Sequence, residues 1–136
     1  MSETDSLVRS LLGSGRDESR IDAAEALGRL GPMAKGALNA LISTMQGSAN
    51  PPVRAAAARA LGGLGPDGQG AINALVITMQ NTAPDDVRIG AADGLGRLGP
   101  VAKGALNALA NTMQGSSNPP VKDAAAQAFR KVSASR

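Results

Sequence analysis

The stretch Ala-Leu-Gly-Arg-Leu-Gly-Pro at 26–32 returns as Ala-Leu-Gly-Gly-Leu-Gly-Pro at 60–66 and as Gly-Leu-Gly-Arg-Leu-Gly-Pro at 94–100, the same step in numbering each time. That step also links Asn39, Asn73 and Asn107 inside an Ala-(Leu/Ile)-Asn-Ala-Leu block, and Thr44-Met45-Gln46 with Thr78-Met79-Gln80 and Thr112-Met113-Gln114. A fixed period of this length makes one supersecondary unit the building block, and each unit must bury its apolar face against the next. Between 27–53 and 95–121, two periods apart, 23 of 27 positions are identical, the pattern of a duplicated two-repeat unit or of an array written from a consensus.

Each unit reads as two helices. In the second repeat Val53, Ala57, Ala60, Leu61 and Leu64 fall on one stripe at helical period, a first helix, here helix A. Gly65 then stands where a left-handed residue closes a helix, and Pro66 where the next helix begins. Helix B of the first repeat carries Ala34, Ala37, Leu38, Leu41 and Met45 on its stripe and stops at Gly47-Ser48-Ala49-Asn50-Pro51-Pro52. Leu7 and Leu11 precede Leu41 and Met45 by one period, so the chain starts on a lone helix B; Val121, Ala125, Ala128, Phe129 and Val132 end it on a lone helix A. The expected division is an N-terminal half-repeat 1–16, full repeats 17–50, 51–84 and 85–118, and a C-terminal half-repeat 119–136, about eight helices in one domain.

Composition says how such helices can pack. There are 26 alanines and 17 glycines, against a single aromatic residue, Phe129. A core without large side chains has to bring backbones close together. Gly28, Gly62 and Gly96 inside helix A, and Gly36, Gly70 and Gly104 early in helix B, each cost about 1 kcal/mol of helix propensity, so close helix contact is expected at all six. Gly94-x-Gly96-x-x-Gly99 spells a dinucleotide-binding pattern, but it ends a helix instead of following a strand.

The absence of His, Cys, Trp and Tyr removes imidazole and thiol catalysis, thiolate metal sites and disulfides. The acids are scattered and form no recurring pair, so the expectation is a protein that is not an enzyme and holds no metal or cofactor. Net charge is only +3, and the acids are unevenly spread: Glu3, Asp5, Asp17, Glu18, Asp22 and Glu25 precede Ala26, while 26–66 hold none. No stretch has the length of a membrane span or the form of a signal sequence, and a cytoplasmic protein is expected.

The tetratricopeptide repeat shares the period but needs Trp, Tyr and Phe at set positions; ankyrin needs Thr-Pro-Leu-His. What recurs here is Pro-Val-Arg-x-x-Ala-x-x-Ala-Leu-Gly-x-Leu-Gly at 52–65, and Asp-Val-Arg-Ile-Gly-Ala-Ala-Asp-Gly-Leu-Gly-Arg-Leu-Gly at 86–99. This resembles the short bacterial HEAT-like repeats, the class that includes phycobilin-lyase-type subunits and designed HEAT-like scaffolds. The resemblance implies an all-α fold, an α-solenoid of HEAT-like helix pairs, and helix B along its concave side. Asn39, Asn73 and Asn107 depart from it, since many such repeats carry Pro there.

Opposite the helix B stripe lie Lys35, Asn39, Ser43 and Gln46, then Gln69, Asn73, Ile77 and Gln80, then Lys103, Asn107, Asn111 and Gln114. Amides at regular spacing offer paired donors and acceptors to the main chain of a bound peptide, by analogy with the armadillo family. They are also what a recent duplication leaves on a solvated face, and that reading weighs more. The expected function is a non-catalytic protein- or peptide-binding scaffold. The alternatives are a designed or consensus array without a natural ligand, and nucleic-acid backbone binding through Arg29, Lys35, Arg54, Arg59, Arg97 and Lys103, which the low charge and missing aromatics disfavour. A second cationic row, Arg20, Arg54, Arg88 and Lys122, is expected to pair with Asp17, Asp85 and Asp86 between repeats. Phe129 stands where other repeats have Leu and nothing follows to cover it, so a weak homodimer through the C-terminal end is expected.

Overall fold

The structure, a computed structural model, describes residues 2–13 and 15–134. Met1, Ser14, Ser135 and Arg136, which belong to the expected terminal half-repeats, lie outside the described residues. Among the described residues eight α-helices follow in order: α1 (Glu3–Leu12), α2 (Asp17–Leu30), α3 (Leu38–Gly47), α4 (Pro51–Gly63), α5 (Ile72–Gln80), α6 (Asp85–Leu98), α7 (Leu106–Gly115) and α8 (Pro119–Ser133). No strand forms among those residues.

Gly31, Gly65 and Gly99 hold φ of 62°, 67° and 61°, a region that L side chains enter only with strain. Each is followed by Pro, whose fixed φ and missing N–H suit the start of a helix. The helix that starts there differs from expectation. Gly31–Ala37, Gly65–Ala71 and Gly99–Ala105 are 3-10 turns, and the α-helical path begins only at Leu38, Ile72 and Leu106. Ala34 (φ −101°, ψ 21°) and Ala102 (φ −94°, ψ 24°) mark the kink. Ala34, Ala37, Leu41 and Met45 are fully buried nonetheless, so the apolar stripe survives the change of helix type.

The loops at the other end are capped by side chains. Asn50 and Asn118 accept hydrogen bonds from the N–H groups of Val53 and Val121 at 3.1 and 3.0 Å, closing the starts of α4 and α8. Ser2 and Asp5 form a reciprocal capping box on α1.

Helix α1 packs on α2, α3 on α4, α5 on α6 and α7 on α8. Each helix B among the described residues thus packs on the helix A that follows it in the chain. A repeat period leaves its phase open, and the short loops at 48–50, 81–84 and 116–118 fold each helix B back on the helix A that follows it. Between the two layers Leu27, Leu61 and Leu95 meet Leu41, Leu75, Leu109, Met45 and Met79, each at most 1% exposed.

The layers are spaced unequally. Helices α2, α4, α6 and α8 stand backbone against backbone. A Cβ added to Gly63 would lie 2.9 Å from Gly28 Cα and nearer still to its carbonyl oxygen; one on Gly62 would meet Gly94 in the same way, again 2.9 Å from its Cα. At Gly28 and Gly96 the neighbours are the Cα atoms of Ala60 and Ala128, at 3.1 and 3.2 Å. In the other layer, successive helices meet chiefly through the 3-10 turns. We call the closely spaced layer of α2, α4, α6 and α8 the inner layer and its exposed side the inner face. Helix B forms the other, more open layer, the outer one. Close contact also fails at Gly36 and Gly104, where a Cβ would meet nothing within 4 Å; Gly70 meets only the flexible end of Leu38, at 3.2 Å.

These distances separate two kinds of glycine by experiment. Gly63→Ala should destabilise the array by about 2–3 kcal/mol, because the atom it adds strikes backbone that cannot move aside. Gly36→Ala, in open space, should be neutral or stabilise by up to about 1 kcal/mol. Urea denaturation followed by circular dichroism reads both.

Candidate functional site

All twelve residues of the helix B rows are exposed: Lys35, Asn39, Ser43, Gln46, Gln69, Asn73, Ile77, Gln80, Lys103, Asn107, Asn111 and Gln114. Among the described residues their side chains make no hydrogen bond or ion pair with the rest of the chain. They stand on the outer layer, and the structure brings few of them together. Gln80 and Asn111 border an open cleft of about 440 Å³ with Arg88 and Ser116. Lys35 edges a second cleft, near Met33 and Thr4, and Ser43 a third, beside Leu12 and Arg20. Ile77, 59% exposed, is an apolar interruption in the row that holds Ser43 and Asn111.

The Thr of each Thr-Met-Gln triplet points inward. Thr44, Thr78 and Thr112 are buried, and the Thr44 hydroxyl donates to the Ala40 carbonyl at 2.9 Å. This local bond satisfies a buried hydroxyl without a partner from another helix.

The cationic row on helix A pairs, but within a helix. Arg20 pairs with Asp17 and Arg88 with Asp85, each one turn apart. The link between repeats is made by the same acids through an amide. Asn50 Nδ2 donates to Asp17 at 2.6 Å, and Asn118 Nδ2 to Asp85 at 2.7 Å. Arg54 has Pro51, and Lys122 has Pro119, where Arg20 and Arg88 have Asp; the Arg54 Nε donates instead to the Met45 carbonyl at 2.7 Å.

The inner face carries the other charged rows. At steps of one period, Glu25, Arg59, Asp93 and Gln127 run across α2, α4, α6 and α8; beside them run Arg29, Gly63, Arg97 and Lys131. Arg59 Nε donates to Asp93 at 3.1 Å, an ion pair across the middle of the array. Glu25, Gly28, Arg29, Ala56, Arg59 and Arg97 line one open depression of about 320 Å³. It spans three successive repeats because the glycine contacts hold α2, α4 and α6 so near. The residues named for nucleic-acid binding thus divide between the layers: Arg29, Arg59 and Arg97 share this depression, Lys35 and Lys103 sit on outer 3-10 turns, and Arg54 is bound to a carbonyl. The depression itself is not evident from helix B, but its alternating Glu25-Arg59-Asp93 row emerges when the repeat step is applied to helix A.

Phe129 is half-buried and packs against the chain's own core, whereas the corresponding Leu27, Leu61 and Leu95 are fully buried. Among the described residues no helix is long and apolar enough to cross a membrane.

Stacked helix pairs, the first three closed by Gly-Pro, joined through a small-residue inner layer, define an α-solenoid of HEAT type. The chain belongs to the HEAT-repeat family: residues 4–96, and again 38–130, match the sequence pattern of HEAT repeats. Among solved structures it is similar to the complex of CpcE and CpcF of phycocyanin lyase from Nostoc sp. PCC7120, with a TM-score of 0.69 and 24% identity over 95% of this chain and 77% of that one. At that identity the likeness is one of fold. Comparison with curated protein sequences gives no significant match.

Two sets of asparagines should respond differently to truncation. Changing Asn39, Asn73 and Asn107 together to Ala should leave the melting temperature nearly unchanged, since all three are exposed on helices that Ala favours. Asn50→Ala removes a cap and an inter-repeat bond at once and should cost about 1–2 kcal/mol. Thermal melts of the two variants test the contrast.

Proposed function

We propose that the chain is a non-catalytic scaffold that binds a segment of another protein along its inner face. The observation that carries this reading is the convergence of side chains from α2, α4 and α6 on one open depression. Backbone contact fixes those helices relative to one another, so the groups they display are held in place before a partner arrives. The missing His and Cys, and the scatter of the acids, support a role without catalysis. Selecting a random-peptide library against the protein tests the proposal. Binders should be recovered, and their amide NMR footprints should fall on α2, α4 and α6. Failure to enrich any peptide, or footprints confined to the 3-10 turns, would overturn it.

The amide rows support a second protein-binding surface, because their hydrogen-bonding groups are exposed and unspent. Loss of a selected peptide's binding in the Asn39, Asn73, Asn107 triple Ala variant would move the partner to that outer layer. Nucleic acid is the competing ligand, and a steep fall of affinity with salt would identify it.

The weak homodimer rests on the part of Phe129 that its own core leaves uncovered. Phe129→Asp should then shift the protein towards monomer in sedimentation while keeping its helical signal. A wild-type chain already monomeric at high concentration removes the dimer.

A further inference from the structure

We infer that the partner segment is recognised by its carboxylates, which Arg29 and Arg97 take up from opposite sides of the inner depression. This rests on the scaffold reading above and names the chemistry of its ligand. The two residues sit on α2 and α6, two repeats apart in sequence, yet border one space. Neither makes an ion pair among the described residues, whereas Arg59 between them is held by Asp93. Two unspent guanidinium groups flanking a third, already paired one make a site for an anion with planar, two-pronged geometry.

Each arginine lies in the last turn of its helix, where any cation is favoured by the backbone dipole. The dipole accounts for a charge at each helix end but not for their convergence. That follows from the Gly28–Gly63 and Gly62–Gly94 contacts, which leave no room for a side chain between the helices. Gly28 and Ala56 also line the depression and bring no long side chain into it, so a ligand main chain can lie against them.

The neighbouring charges select a peptide over a polyphosphate. Glu25 lines the same depression, and Asp93 stands behind Arg59. Towards the starts of the same helices lie the exposed acids Glu18, Asp22 and Asp86. A nucleic-acid strand, with a charge on every nucleotide, would run from the arginines onto this acidic edge. A peptide can present carboxylates to one edge and neutral or basic residues to the other.

The test uses the full chain and four probes: a peptide alternating Glu and Ala, one alternating Lys and Ala, single-stranded oligothymidylate and inorganic phosphate. Binding is followed by the Nε–H NMR signals of Arg29 and Arg97. The Glu peptide should shift both signals, and Arg29→Ala and Arg97→Ala should each weaken it about five- to tenfold, the loss of one charge-assisted contact. Both variants change exposed residues, and unchanged helical circular dichroism confirms that they fold. If oligothymidylate or phosphate binds as well as the Glu peptide, or if neither variant weakens it, the proposal is overturned. If the Lys peptide alone binds the inner face, the carboxylate assignment fails while the scaffold reading stands. If library-selected peptides bind only elsewhere, both fail.

Discussion

Contact between the backbones of α2, α4, α6 and α8 is the constraint on which the rest of this fold depends. With one aromatic residue in the chain, the helices cannot be held apart by large side chains and still exclude water. They close until Gly28 meets Ala60 and Gly63, and Gly62 meets Gly94. The helices of the other layer carry Leu and Met at their buried positions and stay further apart. This inequality sets the two faces of the array apart. It also carries side chains of three repeats into one depression.

Two kinds of seam hold the pairs in sequence. Between the first and second pairs, and again between the third and fourth, an Asp on one helix A is bonded by the Asn that caps the next. At the central seam the corresponding positions are Pro51 and Pro84, which can do neither job. There the Arg59–Asp93 ion pair and the backbone contacts of Gly62, Gly90 and Gly94 take over. An ion pair this exposed contributes little alone, so packing is the larger part of that seam. The seams alternate with the same two-repeat period as the sequence.

Periodicity exposed most of the fold. The helices, their buried stripes, the positive φ at Gly65 and the solvent-facing rows of helix B are all direct consequences of which residues share a face. It could not say which face meets a neighbour. Gly28, Gly62 and Gly96 stand out as glycines inside helices, but Gly36 and Gly104 stand out equally and touch nothing. Phase was also hidden, because a repeat step is the same wherever it is cut; only the packing shows that each helix B lies on the helix A that follows it. The inner depression needed the folded chain. Arg29 and Arg97 are two full periods apart, and nothing local says that the helices between them lie close enough for the two to share a space.

The alternation of seams determines how an array like this can change length. Removing one packed helix pair, α3 with α4, would set Asp17 beside Pro84, an Asp without its Asn. Removing or adding two keeps every junction of a kind already present. Growth by two pairs therefore repeats junctions already present, and two periods is also the step at which 27–53 and 95–121 are nearly identical.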